Sequence, residues 1–448
     1  MSLIRKYIDT LNVKKLFQKQ VTRNIITVGV ITLFLKGIGF FKESIVASNF
    51  GLSEVLDTFF IAFLVPGFIM NVFIGAFKSV FIPNYVAELK TGNNISSFQG
   101  TGFLITFLVS CTFTLIAFLF TDVYLENFFP GHTANYYELI KSHFQFLMPC
   151  IIFWGLSSLL GGLLNIAEEF RLSTFASVFV PVAIIICLFF LKPIFGDMVL
   201  AIGTLIGSVA SFLYLLALCI WKKIIHISIP DLKNSNAKLM FAQVPAKVSS
   251  GFLTGMNGVV DQYFAAQLAV GSIAAINYGN KMPAFLKGLL VVAVTNVLLP
   301  YFSKMILENR KRTFNQLFKM LKLIFLIAGV FALIGIFISD FLVALFFERK
   351  EFTEENSDLV ANIQKIFLVY IPFSIAGMVI VNFLTSINRN AVMAYISFGA
   401  LILNIVLDLV LIQYYGILGI ALCTTIVVIA KDIALIGYVF KLSKYQNN

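Results

Sequence analysis

The sequence contains few charged residues. Lys, Arg, Asp and Glu make up 12% of its 448 residues, about half of the roughly 25% found in soluble domains. Hydrophobic residues make up 59%, 49 residues are Phe, and apolar runs of about 20 residues recur along the whole chain. These apolar runs leave no room in the chain for a separate soluble core. The composition predicts an all-α polytopic membrane protein.

Cysteine and histidine are scarce and scattered. Each of the five Cys lies alone in an apolar run without C-x-x-C spacing, and the three His are isolated from one another. This spacing favours cysteines that pack inside the membrane, and it builds no disulfide, metal site or Cys/His dyad. The phosphate-binding Walker A motif and the nucleophile elbow are also absent. The sequence therefore predicts a protein that is not an enzyme.

Twelve apolar segments are long enough to cross a membrane. They cover residues 25–47, 57–82, 101–121, 143–166, 172–191, 198–221, 243–268, 275–303, 320–346, 363–386, 391–413 and 417–440. The segments that connect them place 22 Lys and Arg on one side of the membrane and 5 on the other. The positive-inside rule then predicts that both termini are cytoplasmic. Topology alone explains the net charge of +11, so the charge does not require nucleic acid as a partner.

The two halves of the chain share a pattern of prolines. An offset of 217 residues superposes Pro66 and Pro83 on Pro283 and Pro300. A second offset, of 223 residues, superposes Pro149 and Asn165 on Pro372 and Asn388. Two six-helix lobes related by an internal repeat are the simplest interpretation, and such repeats are typical of transporters that rock two bundles around a central site.

This interpretation predicts a division of the chain into five parts. They are a basic interfacial helix at 1–24, an N-terminal six-helix lobe at 25–221, a cytoplasmic linker at 222–242, a C-terminal six-helix lobe at 243–441 and a cytoplasmic tail at 442–448. The first part carries six Lys and Arg with apolar residues at helical spacing, which is typical of a helix lying on the membrane surface.

Several lysines fall inside the predicted spans, where ionisable groups are costly and are retained chiefly to face a watery cavity, a substrate or an ion. They are Lys36 and Lys42 in the first span, Lys78 in the second, and Lys281 and Lys287 in the eighth. Five amines in repeat-related spans predict a central cationic cavity suited to phosphate or pyrophosphate. The alternative is that Lys36, Lys78 and Lys287 extend to the cytoplasmic surface and bury only their apolar stems.

Asp57 lies at the start of the second predicted span. One interpretation is that it forms a gate or pairs with a cavity lysine. The alternative is an exposed acid at the N-terminus of its own helix, where the helix dipole favours negative charge.

A second group of polar residues lies in later spans. Asn404 and Asp408 are four residues apart and therefore share one face of the eleventh span, Thr424 lies on the twelfth, and Asp261 is the only acid in the seventh. Carboxylate, amide and hydroxyl oxygens at membrane depth would suit a small hard cation or a proton relay. The alternative is a hydrogen-bonded brace between helices.

Longer stretches around these residues resemble the MurJ/MviN family, the lipid II flippases of the multidrug/oligosaccharidyl-lipid/polysaccharide (MOP) superfamily. They are G-F-F-K-E, D-T-F-F-I-A-F-L-V-P and F-I-P-N-Y-V-A-E in the first two spans, I-N-Y-G-N-K-M-P and V-L-L-P-Y-F-S-K around the eighth, and L-I-L-N-I-V-L-D-L-V-L-I with Y-Y-G-I-L-G-I-A at the end. The resemblance covers nearly the whole chain. Met70 and Asn71 depart from the family pattern, which usually has two arginines there.

The resemblance implies two sets of site residues. The substrate-binding set is Lys36 and Lys42, at positions of cavity arginines in the family, with Asp57, Asn280 and Lys281. The set that looks like the family's cation site is Asp261, Asn404, Asp408 and Thr424.

The resemblance also implies a function. We expect a flippase that carries an undecaprenyl-pyrophosphate-linked precursor, lipid II, from the cytoplasmic to the outer leaflet of the bacterial cytoplasmic membrane by alternating access. Its expected partners are the lipid-linked glycan and membrane lipids, with Na⁺ or H⁺ as coupling ion, no other cofactor, no nucleic acid and a single copy of the chain. The alternatives are a flippase for another lipid-linked glycan, such as an O-antigen or exopolysaccharide unit, a MATE-type drug or cation antiporter, a membrane glycosyltransferase, and a scaffold for envelope assembly.

Overall fold

The computed structural model of the chain describes residues 20–91, 94–288, 302, 305, 310–387 and 389–444. Nearly all of these residues are helical, and the β pairing among them is an isolated bridge between Arg349 and Phe352. The predicted all-α class is confirmed for this part of the chain. Residues 1–19 of the predicted interfacial helix, the repeat positions Pro300 and Asn388, and the last four residues lie outside it.

The described helices lie in both halves of the chain. Those of the first half are α1 (Gln20–Phe50), α2 (Glu54–Ile69), α3 (Gly75–Thr91), α4 (Ile95–Leu119), α5 (Thr121–Phe128), α6 (Ala134–Leu147), α7 (Cys150–Ile166), α8 (Phe170–Phe175), α9 (Phe179–Phe190), α10 (Lys192–Phe195) and α11 (Val199–Trp221). Those of the second half are α12 (Ser235–Ala265), α13 (Ser272–Gly279), α14 (Arg310–Phe337), α15 (Ser339–Phe347), α16 (Glu354–Ser386), α17 (Asn390–Tyr415) and α18 (Ile417–Lys444). A π-helical turn, Met70–Ile74, joins α2 to α3, and residues 281–288 form a further helical stretch, here called the 281–288 helix.

Nine helical segments in the described part of the chain are long and apolar enough to cross a membrane. The predicted spans at 25–47 and 243–268 fall mainly on α1 and α12, which are not among these nine segments. The predicted span at 275–303 begins in α13 and continues through the 281–288 helix, and the rest of it lies outside the described residues. The membrane-spanning character is confirmed, while the count of twelve stays a prediction.

Helix packing follows the two halves of the sequence. In the first half α11 packs against α7 and α9, and α2 packs against α6; in the second half α16 and α17 both pack against α18. The two halves meet where α3 contacts α12, where α2 contacts α13, and where α1 contacts α15. The predicted domain boundaries stay a prediction.

The outer surface of the helices is apolar, as lipid requires. Phe337 is 84% exposed and Phe190 is 72% exposed, and exposed Leu, Ile and Val side chains accompany them along α4, α14 and α17. Backbone polar groups inside a bilayer must be satisfied within the helix itself, which explains why the long segments adopt this one type of structure. The helices with Pro in their interior, such as α16 with Pro372, lie among neighbouring helices.

Candidate functional site

A cavity of about 550 Å³ lies between α1, α9 and the 281–288 helix. Three of the predicted lysines line it: Lys36 and Lys42 from α1, and Lys281 from the start of the 281–288 helix. Apolar side chains, including Phe40 and Phe285, complete the walls. The structure therefore brings amines from both halves of the chain to one cavity.

Glu43 links the two halves inside this cavity. Its Oε1 accepts hydrogen bonds from Lys42 Nζ at 2.6 Å and from Lys281 Nζ at 2.8 Å. The three side chains are only 14 to 25% exposed. One carboxylate thus compensates two amines, and the cluster keeps a net positive charge of one. Removing one partner of a buried ion pair costs about 3–5 kcal/mol because the other charge is left unpaired, so the three side chains depend on one another and link α1 to the 281–288 helix.

The other predicted substrate residues take different positions. Lys36 reaches toward Gly288, where a side-chain carbon would lie 2.7 Å from its Nζ. Asn280 is exposed and its Oδ1 accepts a hydrogen bond from the Tyr370 hydroxyl at 3.0 Å. Lys78 and Lys287 are partly buried and do not line the cavity. The five amines therefore divide into three that share the cavity and two that lie elsewhere.

Asp57 is neither an exposed acid nor the partner of a cavity lysine, while its role as a gate stays a prediction. It is 3% exposed, and it binds backbone rather than lysine: Oδ2 accepts the Gly271 N–H at 2.6 Å and Oδ1 accepts the Ala274 N–H at 2.8 Å. The expectation of an exposed acid is wrong, as is the pairing with a cavity lysine. Asp57 instead caps the N-terminus of α13, a helix of the opposite half.

The contact between Asp57 and Ala274 also supports the internal repeat. These residues are 217 apart, the offset that superposes the proline pairs, so equivalent points of the two halves touch. Gly271 makes the approach feasible, because its φ of 91° is left-handed and a side-chain carbon there would lie 2.7 Å from Leu52 O. Asp57 therefore fastens α2 to α13 where the connections Gly51 to Ser53 and 266–271 meet.

The four residues predicted as a cation site come together. Asp261 Oδ1 accepts a hydrogen bond from Asn404 Nδ2 at 3.0 Å, and Asp261 Oδ2 accepts one from Thr424 Oγ1 at 2.9 Å. Asn404 Nδ2 also lies 3.3 Å from Asp408 Oδ2. Asn404 is 1% exposed and Asp408 is fully buried. Three helices, α12, α17 and α18, thus place two carboxylates, one amide and one hydroxyl side by side.

Hydrogen bonds leave two oxygens of this cluster without a partner. Asn404 Oδ1 and Asp408 Oδ1 are both buried and receive no hydrogen bond from the residues that the structure describes. A buried acceptor without a donor costs about 1–3 kcal/mol, and more when it is charged. The brace interpretation explains the paired atoms but leaves these two oxygens uncompensated, and oxygen atoms of this kind are the ligands that small hard cations prefer.

Sequence reasoning missed some residues of the site. Residue spacing does not predict the role of Glu43, because its bond to Lys281 depends on a contact across 238 residues of chain. Asp432 of α18 is 3% exposed and interacts electrostatically with Lys287 and Lys431. Its position inside an apolar run of the last span was the available signal.

The membrane-spanning helices pack in two halves, and a charged cavity lies between them. These features define a polytopic membrane protein with a transporter fold. A solved inward-facing structure of a multidrug resistance MATE family transporter of the MOP superfamily has the same fold, with a TM-score of 0.73 and 12% identity over 94% of this chain and 98% of that one.

Other comparisons identify the family. Residues 46–446 match the family model described as lipid II flippase MurJ. A probable lipid II flippase MurJ from Buchnera aphidicola subsp. Baizongia pistaciae is 24% identical over 91% of this chain and 81% of its own length. The solved structure of a lipid II flippase MurJ in an inward closed conformation superposes with a TM-score of 0.79 and 25% identity, over 92% of this chain and 87% of that one.

The chain belongs to the lipid II flippase MurJ family, which confirms the resemblance seen in its sequence. Its family is one of transporters and not of enzymes. The matched residues begin after Lys36, Lys42 and Glu43, so the roles of these three side chains rest on the geometry of the cavity.

Proposed function

We propose that this chain is a flippase that moves lipid II, an undecaprenyl-pyrophosphate-linked precursor, from the cytoplasmic to the outer leaflet by alternating access. Membership of the MurJ family supports this function. The observation that carries it is the position of Glu43, whose Oε1 joins Lys42 of one half to Lys281 of the other. A membrane cavity that holds more amines than carboxylates suits an anionic head group.

Pyrophosphate would take over the role of Glu43. It carries more than one negative charge and several acceptor oxygens, so it satisfies Lys42 and Lys281 better than one carboxylate oxygen does. Lys36 adds a third amine to the lining of the cavity. Binding of the head group therefore loosens the bond between Glu43 and Lys281, and this bond is one of those that hold the two halves together.

Asp57 supplies a second attachment between the halves. Its two hydrogen bonds to α13 lie where the connections between helices meet, and the predicted topology puts this end of the molecule at the outer face of the membrane. An outward opening would separate α2 from α13 and would break both bonds. In this proposal Asp57 holds the outer side closed and does not bind the substrate.

The cluster around Asp408 fits a small cation. Two carboxylates, an amide oxygen and a hydroxyl supply hard oxygen donors, and the orphaned Asn404 Oδ1 and Asp408 Oδ1 are free to accept. Asp261, Asn404, Asp408 and Thr424 would hold Na⁺, or the two acids would hold a proton. The bound charge would let the cluster pack tightly. It would also respond to the membrane potential, which contributes about 2.3 kcal/mol per charge per 100 mV.

The proposed setting is the bacterial cytoplasmic membrane, with both termini in the cytoplasm and one copy of the chain as the working unit. The membrane character follows from the helices, and the orientation rests on the distribution of basic residues in the sequence.

Complementation tests the function. Bacterial cells depleted of their own lipid II flippase would receive the parent chain, Lys42→Ala, Lys281→Ala or Lys141→Gln at matched expression. Lys141 is a suitable control because it forms an exposed ion pair with Asp122, and neither residue lines the cavity. We expect growth with the parent and with Lys141→Gln, and lysis with the two cavity variants.

Two other outcomes would change the proposal. Failure of the well-expressed parent would point to another lipid-linked glycan, which is tested in cells that lack the corresponding O-antigen or exopolysaccharide flippase. Rescue by both cavity variants would show that the lysines do not hold the head group.

A further inference from the structure

A second cavity, of about 460 Å³, adjoins α1 on a different helix face from the lysines. Its walls are the apolar side chains Phe40, Phe41, Met282, Phe285, Leu345 and Phe346. We call it the α1 groove. Gly37, Phe41 and Ser44 are spaced by four and three residues and so lie on one face of α1. Its volume lies within the range of about 300–1,000 Å³ typical of ligand sites.

The α1 groove opens toward the lipid. Phe41 is 58% exposed and Leu345 is 47% exposed, although both residues lie on helices that contact each other. Phe40 and Phe285 separate the groove from the cationic cavity. Their side chains line both, and their rings meet edge to face at 6.1 Å between centroids.

A guanidinium lies at one end of the groove. Arg349 Nη1 donates to Ser44 Oγ at 3.1 Å, and Nη2 donates to Leu345 O at 2.9 Å. Both partners are neutral, and no ion pair to a carboxylate is present for Arg349 in the described part of the chain. An arginine has five N–H donors in a fixed fork. Two are used to hold the side chain in place, and three remain for another acceptor.

The surrounding loop marks the edge of the membrane. Arg349 follows the end of α15 in a turn with the charged and exposed residues Glu348, Lys350 and Glu351. The charged end of the groove therefore lies at the level of lipid head groups, and its apolar walls lie at the level of lipid chains. A phospholipid has its phosphate and its hydrocarbon in the same order, and arginine binds phosphate through two parallel hydrogen bonds.

We propose that the α1 groove binds an anionic phospholipid of the surrounding leaflet, with its phosphate on Arg349 and one acyl chain against Phe41 and Phe285. The bound lipid contacts α1, α15 and the 281–288 helix at once. It therefore stabilises the arrangement in which Glu43 meets Lys281, and the composition of the membrane regulates how readily the two halves part.

Two matched pairs of variants test the site. Arg349→Ala removes the guanidinium that would bind the phosphate, and Lys350→Gln removes a neighbouring cation of the same turn. Gly37→Leu fills the groove, and Gly39→Leu places the same side chain in the cationic cavity instead. A side-chain carbon at either glycine meets no atom within 4 Å, so neither leucine forces a clash at its first carbon.

The measurement is native mass spectrometry of purified protein exchanged into nanodiscs of equal phosphatidylglycerol and phosphatidylcholine. No polyprenyl lipid is present, so the result does not depend on transport. The parent and Lys350→Gln should retain phosphatidylglycerol in preference to phosphatidylcholine. Arg349→Ala should lose this preference by about tenfold, the value of one charge-assisted hydrogen bond, and Gly37→Leu should lose both lipids while Gly39→Leu keeps them.

Equal retention of the two lipids by the parent would overturn the preference for an anionic lipid, because phosphatidylcholine has a phosphate as well but no net charge. Equal loss in Arg349→Ala and Lys350→Gln would reduce the effect to general surface charge and would also overturn it. Retention in Gly37→Leu that matches Gly39→Leu would show that the lipid lies elsewhere. Arg349→Lys, which keeps the charge and loses the fork, should give an intermediate value if the protein is folded.

Discussion

The two polar clusters of this protein differ in what they join. Glu43 connects lysines from opposite halves in a cavity, whereas Asp261, Asn404, Asp408 and Thr424 all lie within the second half. The first cluster has more amines than carboxylates, and the second has carboxylates with no amine among its hydrogen-bond partners. A cluster between halves can change partners when the halves move. A cluster inside one half can instead change how its own helices pack.

The two clusters also differ in how far hydrogen bonds compensate their charged and polar groups. Glu43 Oε1 receives two amines, so the first cluster is stable without a ligand. Among the described residues nothing donates to Asp408 Oδ1 or Asn404 Oδ1, so the second leaves two buried oxygens unsatisfied. We propose that a substrate competes for the first site and that an ion completes the second.

The largest effect should come from Glu43→Gln. This change leaves Lys42 and Lys281 together without a carboxylate, and we expect a loss of about 3–5 kcal/mol in stability together with loss of transport. Thermal unfolding in detergent measures the first and complementation the second. The double variant Glu43→Gln with Lys281→Met should regain much of the stability and no transport. A Glu43→Gln protein as stable as the parent would contradict the assignment of a shared partner.

The next effect concerns the second cluster. Thr424→Val removes a hydroxyl that donates to Asp261, and the control Thr425→Val removes one that donates to Ile366 O instead. A cation present at a hundred times its dissociation constant stabilises the folded state by about 2.7 kcal/mol. We expect NaCl, compared with choline chloride, to raise the Tm of the parent and of Thr425→Val, and to raise it less in Thr424→Val. Asp408→Asn should show almost no response.

No response to Na⁺ in the parent would leave a proton as the occupant, and the same variants would then be compared across pH. If the parent responds to neither ion, the second cluster is only a brace between helices.

A smaller effect should follow Asp57→Asn. The amide keeps one acceptor oxygen and turns its NH₂ group toward a backbone N–H, so one of the two bonds to α13 is lost. We expect a loss of about 2 kcal/mol, the value of a hydrogen bond to a charged group, and a larger population in which α2 and α13 are apart. Distances between spin labels on Glu54 and Ser272 would report this separation. Unchanged distances would show that Asp57 does not hold the halves together.

The smallest effect should come from Lys141→Gln. The Lys141 Nζ to Asp122 Oδ1 distance is 2.6 Å, the same as the distance from Lys42 to Glu43, but the two side chains are 45% and 68% exposed. Solvent and salt screen such pairs, so we expect a change below about 1 kcal/mol. Thermal unfolding measures it, and a loss as large as that of Glu43→Gln would show that burial is not what distinguishes the two pairs.

The sequence indicated the second cluster better than the first. Asn404 and Asp408 share a helix face by spacing alone, and few other polar groups in the late spans could meet them. Asp57 was harder to interpret because its partners are the backbone N–H groups of Gly271 and Ala274. Every residue but proline carries such a group, and only the fold decides which of them lack a partner at the start of a helix.

The fold itself was largely predictable, because apolar runs of this length have few other solutions in a membrane. The π-helical turn at Met70–Ile74 was not predicted. It contains both positions where the family usually has arginines, and nothing in residue spacing distinguishes an α-helical turn from a π-helical one.

The most direct test of the central claim is transport of lipid II by the purified chain in proteoliposomes. Lipid II would be placed in both leaflets, and an added enzyme that cleaves its pyrophosphate bond would act only on the outer one. We predict that the parent chain lets the enzyme consume nearly all of the lipid II, while Lys281→Ala stops at about half, the share of the outer leaflet. Complete cleavage with Lys281→Ala, or cleavage that stops at half with the parent, would contradict transport through the lysine cavity.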